Sequence, residues 1–545
     1  MKSTWHALVA GAIVALVVNF GLLAAPLAQA NPRPLVDVAW LQQALAASDV
    51  LVLDAQPLKL HDAGHIPGAV HVDLFTYGID EKDTQAMQRR IQSWGVSPGR
   101  TVVIYDQGGG YFAPRLYYEL LYRGHPPERL HLLDGGMAKW RAVGGTVTQD
   151  KTAPPPAGSF AVRDRADVRA DLPEVLVAAG DGQRHALIDA LEPEMYFGAS
   201  KFFDRAGHLP QAVSWPTGEF FNADKTFKSA EELRAMASHL GVRPEQQVYA
   251  YCGGGIAAAV PYFALRHIAG YPQVKLYVGS QLDWVRDSRD LPLWTYASPH
   301  LARSAPWLAS WTNPMLRAYG VTRLNIVDVR SAEAFAAGHI PAARNVPAPV
   351  FSEALSSALS SPNKSQPNML RPRLEAEGLQ AGHETVIVSE RGLDKSSALA
   401  FLALQSLDMP RVSVLMTGTD EWALRGLPWA KQATPAAPTR FVEGSRTVVA
   451  TLADAPGPLP RVYIASGAAL PSEAPTGKVI HLPASRLVND DGSVKPAAEL
   501  WTVISKAGVP SHAQLVFVAD DVGEAAMNYY VFQLMGYTNL RVLLR

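Results

Sequence analysis

The chain has 545 residues, 48% of them hydrophobic and 18% charged, with a formal net charge of -1. That length exceeds a single hydrophobic core and predicts about three to five domains. Balanced charge without a basic block excludes the electrostatic footprint of a nucleic-acid binder, so partners are expected among small molecules and proteins.

Residues 1–30 read as a signal peptide. Lys2 supplies a short basic start, Ala7 to Ala25 is almost wholly apolar, and Ala28-Gln29-Ala30 offers small residues for cleavage. An uncleaved anchor is the competing reading, because the apolar run approaches the length of a membrane span. Asn19 and Gly21 interrupt that run, which favours cleavage, and no other stretch reads as membrane-crossing. Export of this kind points to a bacterial periplasm, a compartment that oxidises thiols. Cys252 is the only cysteine of the chain and has no partner within it, so its presence there argues for use.

The remainder is built from one unit used four times. Gly64-His65-Ile66-Pro67-Gly68-Ala69-Val70 recurs as Gly207-His208-Leu209-Pro210-Gln211-Ala212-Val213 and as Gly338-His339-Ile340-Pro341-Ala342-Ala343. The copies lie about 130 to 145 residues apart, the size of whole domains. Each follows an apolar strand ending in aspartate, at Asp54, Asp189 and Asp328. Each precedes a second strand (Val102–Tyr105, Val248–Tyr251, Val386–Ser389), a helical stretch, and a third strand running into Gly-x-x-x-x-Trp or a close variant, ending at Trp140, Trp284 and Trp422. A worn fourth copy keeps Leu515–Ala519 and Asn539–Leu544, with Thr476 to Pro483 as the remnant of the Gly-His-Ile-Pro element. Strands alternating with helices predict an α/β fold, each unit a parallel sheet with helices on both faces. Linkers rich in proline and alanine cut the chain after the first and third units, and a looser boundary falls around Ser298 to Ser310, which gives units at 31–152, 160–298, 310–432 and 440–545. The Gly-His-x-Pro element, present in units without a cysteine, is expected to serve the fold as a tight turn.

Cys252 sits on a glycine-rich turn, Tyr251-Cys252-Gly253-Gly254-Gly255-Ile256-Ala257-Ala258, between a strand and a helix expected over Ile256 to Arg266. Amide N–H groups of such a turn converge, and a helix N-terminus adds partial positive charge, so the thiolate is favoured and is the nucleophile. Gly253, Gly254, Gly255, Ile256, Ala257 and Ala258 are the expected cradle for a negatively charged sulfur. A buried, inert cysteine is the structural alternative.

These elements, in this order and spacing, resemble the rhodanese-like sulfurtransferases over nearly the whole chain after residue 30. The resemblance implies tandem rhodanese-like domains in which a cysteine-free domain precedes a catalytic one. Asp106 takes the place of Cys252 in the first unit, and Glu390 and Asp520 are expected at that place in the third and fourth. It implies transfer of a sulfur atom from a small donor to a thiol or cyanide through a Cys252 persulfide, without cofactor or metal. Cys252-Gly253-Gly254-Gly255 looks most like the loop of 3-mercaptopyruvate users, with thiosulfate the other candidate donor. Ser280 matches a serine near the reacting thiol, and His65 a histidine of the first domain. Lys201 or Arg205 stands in for the arginines that bind a donor carboxylate, and Arg115 is a candidate to line the cleft between the first two units. Phosphatases of the same fold need Cys-x5-Arg, and position 258 is alanine. A different class of function remains open: a carrier or partner-binding protein that hands its persulfide to a protein acceptor with little turnover of small donors.

Overall fold

The computed structural model describes residues 34–45, 49–77, 82–312, 322–360, 369–380, 382–409, 411–441, 444, 446–450, 457–473 and 475–544. The expected signal segment, residues 1–30, lies outside them. Among the described residues no helix is long and apolar enough to cross a membrane.

Four five-stranded sheets form, and within each the strands lie in the order first, fifth, fourth, second, third. In the second unit these strands are Arg169–Ala170, His185–Asp189, Ala212–Ser214, Gln247–Tyr251 and Val274–Tyr277, all paired in parallel. Parallel sheets need both faces covered. Accordingly the central strand Gln247–Tyr251 is buried from Val248 to Tyr251. The α/β reading of tandem sheet-and-helix units therefore holds. The third sheet, however, begins at Ala302–Arg303, followed by the helix Ala305–Trp311, so the third unit starts ahead of residue 310.

The units associate in pairs through the helices that follow their fourth strands. Tyr117 and Tyr118 of Phe112–Tyr122 meet Phe263 and Tyr262 of Ala259–Phe263 edge to face, at 4.9 and 5.1 Å between centroids. Phe401 of Lys395–Ser406 meets Tyr530 of Val522–Leu534 in the same way at 4.8 Å. Units one and two therefore share one apolar core, and units three and four another, which also takes in Leu187, Tyr249 and Tyr251 of unit two. A second element repeats between the pairs. The segment bridged at Phe221 and Phe227 covers the loop of unit one, where Phe227 N–H donates to Asp134 at 2.8 Å. Its counterpart in unit four, bridged at Val488 and Val494, covers the loop of unit three, where Leu393 N–H donates to Gly492 O at 2.9 Å.

Register corrects the fourth unit. Asp54 pairs with His71, and Ala465 pairs with His481. His481 thus answers to His71 rather than to His65, and the stretch Thr476 to Pro483 is not a Gly-His-Ile-Pro remnant but largely a strand, Lys478–His481. In the first three units the element does one job. His65, His208 and His339 each point Nδ1 at a carbonyl oxygen, of His61, Tyr196 and Phe335, at 3.0, 2.8 and 3.0 Å. Each ring also stacks on the side chain of that same residue, at 3.9, 3.5 and 3.8 Å.

Candidate active site

Cys252 follows directly on the last residue of the central strand of unit two. Parallel sheets place their ligand-binding loops at this carboxyl end. The loop runs further than expected before a helix begins: Ala259–Phe263 is helical, and Ala264–Ile268 continues with a wider turn, Ala269 N–H reaching Ala264 O at 2.8 Å. The expected helix over Ile256 to Arg266 is therefore shorter at its start, because three consecutive glycines favour a turn over a helix.

The residue is 3% exposed and packs against the core shared with unit one. Its sulfur is nonetheless turned to a polar partner: Gly255 N–H donates to Sγ at 3.1 Å. Gly255 has φ +78°, and a Cβ there would stand 2.3 Å from the Val278 carbonyl oxygen, so only glycine lets this amide approach. Phe202, half exposed, lies over Gly253, while the Cα of Gly254 faces open space.

Ser280 lies next to Cys252. Its hydroxyl accepts Cys252 N–H at 3.1 Å and donates to Tyr277 O at 2.8 Å. It holds φ +52°, where the matching residues of units one and three are glycines, Gly136 at +52° and Gly418 at +61°. A left-handed serine costs roughly 1–2 kcal/mol. Unit two alone carries that strain, and what it gains is a hydroxyl on the cysteine's backbone.

Backbone bonds locate the sister positions. Gln281 N–H donates to Cys252 O, Met137 N–H to Asp106 O and Thr419 N–H to Ser389 O. Asp106 is confirmed as the counterpart of Cys252 in unit one, but in unit three it is Ser389, not Glu390. In unit four Val518 pairs with Ala465 as Tyr251 pairs with Asp189, so the counterpart is Ala519, not Asp520. The carboxyl of Asp106 accepts Gly108 N–H at 2.8 Å and Ala113 N–H at 3.1 Å, and burial raises its hold on a proton. The loop of unit one thus encloses an acid group of its own.

The other candidates are spread out. Arg205 lies 2.8 Å from the Asp290 carboxylate and donates to Leu291 O at 2.8 Å. It sits two residues before Gly207, whose carbonyl accepts the Gln281 side-chain amide at 2.8 Å, and Gln281 is bonded to Cys252. Lys201 is exposed and reaches Asp204 O at 3.4 Å. Arg115 is fully buried and ion-paired with Glu119 at 2.8 Å, so it faces the interior rather than a cleft. His65 is buried in the turn of unit one, in the stack described above. No group of three or more metal-ligating side chains occurs among the described residues.

One feature of the site was missed. The strand-end aspartates of units one and three have cationic or imidazole partners: His61 Nδ1 at 2.7 Å from Asp54, and Arg330 at 2.6 Å from Asp328. Burial works against ionisation of Asp54, but the bonds from His61, Tyr105 and Gln56 outweigh it and hold the carboxyl below the usual range. Asp189 is equally buried and is bonded by Leu191 N–H at 2.9 Å and Tyr251 OH at 2.8 Å, with Leu191 where Arg330 stands in unit three. Burial pushes its carboxyl up to about 7. The signal was available in Asp189-Ala190-Leu191 set beside Asp328-Val329-Arg330.

This fold and loop define a class, and the chain belongs to the rhodanese-like domain family, whose model matches residues 37–143, 172–287 and 309–425. It is similar to the sulfur carrier protein TtuD of Thermus thermophilus, 32% identical over 276 residues, covering 47% of this chain and 94% of that protein. It is also similar to a probable 3-mercaptopyruvate sulfurtransferase of Pseudomonas aeruginosa, 31% identical over 266 residues, covering 45% of this chain and 92% of that one. Among solved structures, SseA of Escherichia coli shares 24% identity at a TM-score of 0.41, over 46% of this chain and 99% of its own.

Proposed function

We propose that this sulfurtransferase works through a persulfide on Cys252, taking sulfur from 3-mercaptopyruvate or thiosulfate and passing it to a thiol or cyanide. The enzyme class follows from family membership together with relatives named thiosulfate and 3-mercaptopyruvate sulfurtransferases. The Cys252 thiolate attacks the outer sulfur of the donor, a new S–S bond forms, and pyruvate (after protonation of its carbon) or sulfite leaves with the electron pair. An acceptor thiolate or cyanide then attacks the terminal sulfur and regenerates the thiolate.

One observation carries this reading. The only thiol in the four matching loop positions has an amide N–H aimed at its sulfur, and the sister loop already encloses an acid group on two such amides. A Cys–S–S⁻ side chain carries its charge as many bonds from Cα as an aspartate does and reaches slightly further, and oriented N–H groups favour negative charge there. The apolar segment 1–30, with Ala28-Gln29-Ala30 at its end, supports a periplasmic location for this activity.

Intact-mass analysis tests it. Wild type exposed to either donor should gain one sulfur atom, and Cys252→Ser none, with sulfur transfer falling on the order of a thousandfold or more. A wild-type protein that gains no sulfur from either donor defeats the proposal.

Donor binding gives a second expectation. Arg205 is the cation linked to the loop through Gly207 and Gln281, and the exposed Asp290 competes for it. Asp290→Ala should lower the KM for 3-mercaptopyruvate several-fold, and Arg205→Ala should raise it about tenfold, the worth of one charge-assisted contact. Steady-state kinetics of the two variants checks this, and unchanged KM in both removes Arg205 from the site.

A further inference from the structure

We propose that Asp189 is a proton-coupled regulator of the sulfur site, ionised only at a cost when the sulfur on Cys252 is negatively charged. This rests on the reading of Cys252 as the sulfur-carrying residue. The geometry comes from three copies of one position. Asp54 and Asp328 end the same strand in cysteine-free units and are held by His61 and Arg330. In the unit that carries the cysteine, Asp189 has no cationic side chain bonded to it among the described residues, and it is fully buried.

The groups facing Asp189 from neighbouring elements leave it alone in titrating near neutrality. They are Tyr251 on the adjacent strand, Tyr196 on the short helix Pro193–Tyr196, and His208 stacked on Tyr196. Burial keeps both phenols protonated and holds His208 down at about 3, hence uncharged. Asp189 itself changes charge at about pH 7.

Asp189 pairs in the ladder with Tyr251, and Cys252 is the next residue. Strand spacing of ~4.8 Å and one further Cα step of ~3.8 Å put carboxyl and sulfur on the order of 10 Å apart. At an effective dielectric constant of about 20, like charges at that distance oppose each other's ionisation about tenfold. Negative sulfur therefore favours the protonated carboxyl, and the ionised carboxyl favours the protonated thiol. Tyr251 OH, which donates to the Asp189 carboxyl and accepts Leu209 N–H at 3.0 Å, links that carboxyl to the turn beside the loop.

The test uses the full chain between pH 5 and 9. Reactivity of Cys252 with a neutral alkylating agent, iodoacetamide, is followed in wild type and Asp189→Asn. The infrared band of the protonated Asp189 carboxyl, assigned by its loss in Asp189→Asn, is followed in wild type and Cys252→Ser. Whichever group ionises second should do so about one pH unit higher in wild type than in the variant lacking the first. Leu191→Arg, which supplies the partner of unit three, should shift the Asp189 titration below the observed window. Two titrations that each ignore loss of the other group overturn the proposal. Sulfur loading by intact mass is read separately, so failure of the persulfide reading is not confused with failure of the coupling.

Discussion

Gly255→Ala is expected to disable the site, while Gly254→Ala one residue away leaves it working. At Gly255 the backbone is left-handed and the new Cβ would meet a backbone carbonyl at 2.3 Å, which no side-chain movement relieves. The conformational strain alone is roughly 1–2 kcal/mol. The loop must then rebuild, and the N–H that faces the sulfur moves with it. Loss of one such preorganised donor typically costs about a hundredfold or more in turnover. At Gly254 the Cβ meets nothing within 4 Å, and φ is not positive. Sulfur loading and chemical denaturation of the two variants make the comparison. Equal loading by both would show that the amide of Gly255 is not what holds the charged sulfur.

Glu119→Ala is expected to cause the largest loss of stability. Glu119 is 3% exposed and accepts from Arg115 and Arg123, both at 2.8 Å, on the helix through which unit one meets unit two. Arg123 continues to Asp164 at 3.1 Å. Removing the shared carboxylate strands buried guanidinium charge, an effect of about 3–5 kcal/mol. Denaturant unfolding should show it in the transition that reports units one and two, since a chain of this size need not unfold in one step. Arg115→Ala separates structure from binding: it should destabilise while leaving the KM of the folded enzyme unchanged. A raised KM without a stability loss would return Arg115 to the donor site.

The repeat was legible because its signals are local. A Gly-His-x-Pro turn, an apolar strand ending in aspartate and a Gly-x-x-x-x-Trp segment can each be read from a few neighbouring residues. Register was not legible, for the same reason. Nothing within Val388-Ser389-Glu390 says where the strand ends, and only its pairing with Asp328 puts Ser389 at the place of Cys252. His481 was drawn into the wrong element in the same way, until its pairing with Ala465 placed it. Arg115 reads as available for binding because its pairing with Glu119, one turn along the helix, is fixed by burial rather than by composition.

The amino-acid order alone determined that this chain repeats one α/β unit and owns a single cysteine, on a glycine turn. Those properties follow from residue chemistry and short-range stereochemistry. Tertiary structure decided which amide faces that sulfur, that Ser280 bears the strain its sisters avoid with glycine, and that Asp189 is buried with no counter-ion among the described residues. Each of these depends on distances between residues far apart in the chain, and burial turns such distances into charge and hydrogen-bond energies that a sequence does not display.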